Sequence, residues 1–411
     1  MPKVRNPRKI FHQWGGDITS FFTYTHFSHD LCCVLLVALL PLIRESLGLS
    51  YLQSGLLLSA FTITSGLSRF LGGWIGDRFS RRIVIATGLA GVSLTTLAVG
   101  LSPAYYPMLF ILVIMGIASG AYHPSALSAL SGSIEVTRRG KAIAFHMVGG
   151  SLGYAIGPIL GGLIAQLLGW RFAFIILSIP ALVAVPVVLK RFTQKEPING
   201  DELVSQSSAD DTTSQPKQRS VGIFQVLRPI AIILVLDILM QLVAGSAMSF
   251  IPIYLVDKHN IVPAYAAMLL GITIGGGIAG SLFGGWLSDK WGRKQAIFLA
   301  LVATGPILYL LTKLPFNVGL IGVLILFGLL MYMRIATVQS FLMDSVPPQL
   351  MSTIFGIYFG LAFEGMSLMQ PIAGHFMDIF GIVEVFNGIA LTSIVLSLVA
   401  LLLAKKPKLH R

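Results

Sequence analysis

Stretches of about twenty or more mostly apolar residues recur along the whole chain, and no other feature limits its possible folds so sharply. Wound as a helix, a segment of that length crosses about 30 Å of hydrocarbon. Twelve such segments are placed at roughly 18–42, 53–76, 83–102, 105–131, 142–168, 172–190, 229–255, 264–288, 295–313, 316–343, 351–376 and 384–404. The alternating ten-residue strands of a membrane β-barrel do not occur. Only 11% of the 411 residues are charged, too few to clothe a water-soluble domain of this size. The chain reads as an all-α membrane protein with twelve transmembrane helices.

The net charge of +12 raises the question of a nucleic-acid partner. Position answers it differently. Of 29 lysines and arginines, 23 fall in the tails and in the loops of one side. Arg44, Arg171, Lys258 and Lys313 fall on the other side, and Arg69 and Arg334 fall within segments. By the positive-inside rule both termini are expected in the cytoplasm, with the chain spanning the inner (cytoplasmic) membrane many times. The basic balance then reflects topology, and no nucleic acid is expected. Cys32 and Cys33 are adjacent inside the first segment, a poor arrangement for a disulfide or a zinc site, and are expected as small buried apolar residues. No Walker loop, zinc spacing or nucleophile elbow is present, so neither an enzyme nor a cofactor is expected. The first segment is too long for a signal peptide and is expected to be retained.

The chain also repeats itself. Gly73-Trp74-Ile75-Gly76-Asp77-Arg78, followed by Arg81 and Arg82, returns as Gly285-Trp286-Leu287-Ser288-Asp289-Lys290, followed by Arg293 and Lys294. From Asp77 to Asp289 the numbering advances by 212, about half the chain. Pro41 and Pro252 are 211 apart, and Pro158 and Pro371 are 213 apart. One register over three helices marks a duplicated unit, in the manner of parallel transporter repeats. The expected domains are a cytoplasmic tail (1–17), a six-helix bundle (18–190), a polar cytoplasmic linker (191–228), a second bundle (229–404) and a final tail (405–411). Small glycines let helices approach closely. Asp77 and Asp289, with Arg78, Arg81, Arg82, Lys290, Arg293 and Lys294 around them, have the makings of a latch that closes and opens. Gly149, Gly153, Gly157 and Gly161 line one face of the fifth segment, and Pro158 bends it. Seam and bend together suit a rocking interface.

Twelve spans, a central linker and Gly-x-x-x-Asp-Arg after the second span resemble the major facilitator superfamily over nearly the whole chain. The run Gly149–Gly162 of the fifth span is similar to the glycine-proline motif of its antiporters. His26-Phe27-Ser28-His29-Asp30 and Tyr122-His123-Pro124 resemble its fosmidomycin-resistance, drug:proton antiporter branch. The resemblance implies a monomeric transporter whose two pseudo-symmetric bundles rock about a midplane cavity. It implies protons and a small drug-like or anionic molecule as the things moved.

Ionisable residues inside spans are costly and mark functional sites. His26, His29 and Asp30 share one helical face. Asp30 and Glu364 stand near mid-span, and Asp237 lies about two turns into the seventh span with Gln241 one turn further on. A carboxyl in hydrocarbon is favoured when it holds a proton, so it can load one on one side and release it on the other. Asp30, Glu364 and Asp237 are the expected proton carriers. Arg334 presents a planar fork suited to carboxylates and phosphonates. His26, His29, His123, Arg334, Tyr154 and Gln241 are the expected substrate contacts. Arg69, two turns from the Asp77 motif, is expected to snorkel to the cytoplasm. His146 is expected to be structural. Two alternatives remain open. His26, His29, Asp30 and His123 suit a divalent transition metal as cargo. The same acids would also serve an uptake symporter.

Overall fold

The computed structural model of the chain describes residues 16–78, 80–191 and 223–404, and the side chains of 70–78 lie outside that description. Among the described residues the backbone is helical, with short turns and no strand. Six helices come first: α1 (Gly16–Leu47), α2 (Tyr51–Arg78), α3 (Arg81–Leu101), α4 (Tyr105–Gly132), α5 (Val136–Leu168) and α6 (Trp170–Arg191). The tails and the bulk of the expected linker fall outside the described residues. Its last part forms a five-residue helical turn, Ile223–Leu227. Then follow α7 (Ala231–His259), α8 (Pro263–Trp291), α9 (Arg293–Lys313) and α10 (Val318–Ser345). The next helix, α11, runs as Pro348–Phe359, a π-helical turn Gly360–Glu364, and Gly365–Phe380; α12 (Ile382–Ala404) closes the set.

Ten of these helices are long and apolar enough to cross a membrane by length and composition. The other two of the twelve expected spans are α2 and α11. Serines, threonines, glycines and Arg69 dilute the apolar content of α2. The expected eleventh span, read as unbroken, is instead divided by its π turn, an irregularity that often accompanies function. These two helices pack against each other across the halves, while Leu67 of α2 and Leu361, Leu368 and Phe380 of α11 still turn outward. Elsewhere the apolar surface turns outward: Phe110, Leu282 and Leu402 are 67%, 73% and 66% exposed, as hydrocarbon rather than water requires.

The repeat read from the aspartates governs the backbone. Gly48 (φ 61°) ends α1 and Asn260 (φ 52°) ends α7; Gly169 (φ 93°) ends α5 and Gly381 (φ 84°) ends α11. Both pairs keep the same half-chain offset as Asp77 and Asp289. Each of the four sits where the chain needs a left-handed or extended positive-φ turn to stop a helix. Packing repeats as well. In the first half α1 lies on α5, α2 on α4 and α3 on α6; in the second α7 lies on α11, α8 on α10 and α9 on α12. The halves meet through α2 with α11 and α5 with α8, two contacts that interchange when the halves are exchanged.

The glycine face of α5 takes a different position from the rocking seam expected of it. A Cβ at Gly149 or Gly153 would strike the backbone oxygens of Thr23 or Phe27, and one at Gly157 or Gly161 would strike Val34 or Leu35. All four partners lie on α1 of the same half, so the stripe fixes the bundle internally. The neighbouring face of α5 meets the other half: Gly271 of α8 has no room for a Cβ against Ala155 and Ile159, nor Gly162 against Ala264.

At the end where α1 and α7 finish and α2 starts, the halves are tied by polar contacts. Arg44 Nη1 lies 3.0 Å from Asp257 Oδ2, and the Tyr51 hydroxyl donates to the same carboxylate at 2.6 Å. Asp378, from α11, accepts from the backbone N–H of Tyr51 at 2.8 Å and of Leu52 at 2.9 Å, capping α2 from the opposite half.

Candidate functional site

Between the halves lies a cavity of about 330 Å³, at the small end of ligand sites. Its wall includes Phe61, Arg69, Tyr154, Tyr332, Phe363 and Glu364. Of the expected site residues, Glu364, Tyr154 and Gln241 face it. Arg69, expected to reach toward the cytoplasm, faces it too. Cys33 and Ser119 also line it, their side chains 3.6 Å apart, and Cys33 Sγ is 3.8 Å from His29 Nδ1.

Asp30 stands one layer behind that wall, and four aromatic or imidazole rings enclose it. His26 Nε2 is 3.2 Å from Asp30 Oδ2, His29 Nδ1 is 2.7 Å from Oδ1, and His123 Nε2 is 3.9 Å from Oδ1. His29 stacks on Tyr122, with ring centres 4.5 Å apart, and His123 packs edge-on against both His26 and His29. His146 is no bystander: it stacks on His26 at 4.3 Å. Its own Nδ1 donates to the Phe22 carbonyl, and its carbonyl receives His26 Nδ1, both at 3.0 Å. The sequence placed His146 near a span end; only the fold shows that α5 brings it over α1. Gly150 makes the space, since a Cβ there would lie 2.5 Å from His26 Nε2 and 2.6 Å from Asp30 Oδ2.

This geometry carries a proton count. A carbonyl oxygen can only accept, so His26 Nδ1 must donate to His146. In neutral His26 the Nε2 then holds a lone pair, and an ionised Asp30 offers only lone pairs. Two acceptors in such close contact repel each other. The contact is attractive when one further proton sits between them. The pair therefore has two states, loaded and empty, that differ by one proton. His26, Asp30 and His123 also offer ligand atoms within 4.8 Å of one another. His29 turns to the carboxylate and to Cys33 instead of joining that set.

The second half holds a matching cluster with other chemistry. Arg334 is fully buried. Its Nη1 lies 2.5 Å from Asp237 Oδ1, its Nη2 donates to Gln241 Oε1, and the Tyr358 hydroxyl donates to Asp237 Oδ2 at 2.6 Å. In the register of the repeated aspartates, Asp237, Gln241, Arg334 and Tyr358 correspond to Thr25, His29, Tyr122 and His146. The Arg334–Asp237 contact thus repeats the Tyr122–Thr25 hydrogen bond of 2.8 Å. At the 211-residue spacing of Pro41 and Pro252, Asp237 would match His26 instead, one position on. Arg334's fork is occupied within the protein, and Asp237 is held by two partners, so neither presents a free charge to the cavity.

Of the duplicated latch, the first copy is described only in part. The backbone of α2 runs through Gly73, Asp77 and Arg78, whose side chains lie outside the described residues. Arg81 and Arg82 open α3, and Arg82 Nε is buried without a described partner. In the second copy Arg293 pairs with Asp289 one turn back, and its Nε reaches Asp344 at 2.7 Å. These ties join α8, α9 and α10 of one half and do not cross to the other. Lys290 lies over the Trp286 ring at 5.2 Å, and a Cβ at Gly285 would meet nothing.

A model of the Major Facilitator Superfamily matches residues 21–366. The chain is 25% identical over 391 residues to the MFS-type transporter YfnC of Bacillus subtilis, covering 94% of this chain and 92% of that one. It is 22% identical over 368 residues to the fosmidomycin resistance protein of Escherichia coli, covering 87% and 86%. It is 28% identical over 337 residues to a multidrug efflux pump PmrA homolog of Lactococcus lactis, covering 78% and 76%. Among solved structures it resembles a bacterial homolog of the human lysosomal transporter Spinster, in an inward-facing, unoccupied conformation, with a TM-score of 0.72 at 17% identity and 94% of each chain covered. A peptide-transporter-family protein bound to 5-aminolevulinic acid gives a TM-score of 0.76 at 14% identity, with 93% and 95% covered. With a matching helix order, a matching repeat and a family match over most of its length, this chain belongs to the major facilitator superfamily, the membrane transporters of that name.

Proposed function

We propose that the protein is a proton-coupled antiporter that exports a small organic molecule by alternating access. The observation that carries this reading is the His26–Asp30 contact, which needs one exchangeable proton to be attractive. The pair lies one residue layer from the cavity, next to Cys33 and Ser119. Glu364, on the cavity wall, is the second proposed proton carrier. Asp237, held by Arg334 and Tyr358, is read as a structural anchor of its half. Relatives named as a fosmidomycin resistance protein and a multidrug efflux pump favour export over the symport alternative.

By the positive-inside rule, the end tied by Asp257 and Asp378 is extracellular, so the cavity is reached from the cytoplasm in this conformation. An inward-running proton releases about 2.3 kcal/mol per 100 mV, which drives the substrate out when the two movements are coupled. The test is Asp30→Asn in proteoliposomes. Uptake driven by a pH gradient should fall at least tenfold, while exchange of substrate across a vesicle with no gradient persists. Undiminished gradient-driven uptake overturns the role of Asp30.

A further inference from the structure

We infer that the cavity takes a dipolar small molecule, its acidic end on Arg69 of the first half and its basic end on Glu364 of the second. This inference rests on the reading of the cavity as the transport site. Five charged groups stand in or near the cavity on the transport reading, and three are already partnered: Arg334 and Asp237 by each other, and Asp30 by its imidazoles. Arg69 and Glu364 line the cavity directly. The Glu364 carboxyl lies against Gly66, one helical turn before Arg69 on α2. Among the described residues, however, neither closes an ion pair or makes a side-chain hydrogen bond, and Glu364 Oε2 is buried without a partner. The buried, unpartnered Glu364 oxygen is costly to hold, and the exposed Arg69 side chain opens on the same cavity with its charge unspent. A molecule with one acidic and one basic end relieves both at once. A simple anion or a simple cation relieves one and leaves the other.

Local structure holds the carboxylate there. The π turn Gly360–Glu364 turns Glu364 toward α2, where Gly66 leaves a notch that a Cβ would fill by running into the carboxyl group. Arg69 follows Gly66 by three residues, on the same face of α2. The planar guanidinium accepts a carboxylate or phosphonate through two parallel hydrogen bonds. Phe61, Tyr154, Tyr332 and Phe363 add apolar and aromatic surface to the same cavity. Because α2 and α11 belong to different halves, a bound dipole draws the halves together, so its binding energy differs between open and closed states.

The experiment measures equilibrium binding to the purified full-length chain in detergent, which needs no transport. The probes are phenylalanine and a series of ω-amino acids of increasing chain length, each beside its methyl ester (cation) and its N-acetyl derivative (anion). At least one scaffold should bind about tenfold more tightly in its dipolar form than in either derivative. Arg69→Gln should erase the advantage over the ester, and Glu364→Gln the advantage over the N-acetyl compound. The inference is overturned if no scaffold's dipolar form outbinds both derivatives, or if both variants keep the full preference. The wild-type comparison decides alone where a variant does not fold. Binding of the dipolar form without gradient-driven flux would remove proton coupling and leave this inference standing.

Discussion

At the scale of single residues, the two halves use their polar positions differently. The first half gathers three imidazoles around a carboxyl. The second pairs a guanidinium with a carboxylate, both fully buried. Leaving one member of a buried ion pair alone costs about 3–5 kcal/mol. Asp237→Ala or Arg334→Met should each lower the melting temperature sharply, whereas Asp237→Leu with Arg334→Met should lose much less, as read by thermal unfolding in detergent. Equal losses in the single and double variants would show that the pair does not act as a unit. The same triad of His26, Asp30 and His123 admits a rival cargo. Metal titration by calorimetry should show no binding of a divalent transition metal that His26→Ala abolishes; such binding would make the metal, not the proton, the traveller. Much of this was legible in the sequence: intramembrane acids stand out because hydrocarbon penalises them, and Asp30 and Glu364 were visible on that ground. What each acid pairs with was not. The pairing of Arg334 with Asp237 follows from α7 and α10 lying side by side and not from their sequence, and only the shape of the cavity shows that Arg69 faces inward.

At the scale of elements, α5 shows how little a glycine stripe says without its neighbours. The spacing of Gly149, Gly153, Gly157 and Gly161 fixes a smooth face but does not name the helix that meets it. It meets α1, and Gly150, off that stripe, makes room for the proton pair. Gly150→Ala should therefore abolish gradient-driven transport. Gly140→Ala, in the same helix with nothing within reach of a Cβ, should leave transport intact and stabilise the helix by about 0.5–1 kcal/mol. Comparing transport rates and melting temperatures of the two variants checks this; equal transport in both would detach Gly150 from the mechanism. The π turn in α11 was illegible for a related reason. Gly360, its first residue, and Gly365, just after it, look like ordinary packing glycines, and a single five-residue turn is too short to be read from apolar periodicity. Helix existence and order, by contrast, follow from segment length, and the half-chain spacing read from the aspartates recurs in the helix stops at Gly48 and Asn260.

At the scale of the molecule, the structure is closed at one end, and its closure draws on both halves. Asp257→Asn with Asp378→Asn should weaken that end by roughly 1–2 kcal/mol, a shift of about five- to thirtyfold between the two states. Spin labels at Glu45 and Val262, on opposite halves at that end, should report a longer mean distance in the double variant; an unchanged distance distribution would mean that packing alone holds the closure. The cap on α2 has one more consequence. Asp378 satisfies two amides that the helix cannot satisfy itself, and it belongs to the opposite half. On the proposed rocking of the halves, each turnover strips the helix start bare, and water must replace the departing carboxylate. Opening at that face is then a hydration event as much as a mechanical one, and crowding water away with an excluded osmolyte should slow it selectively.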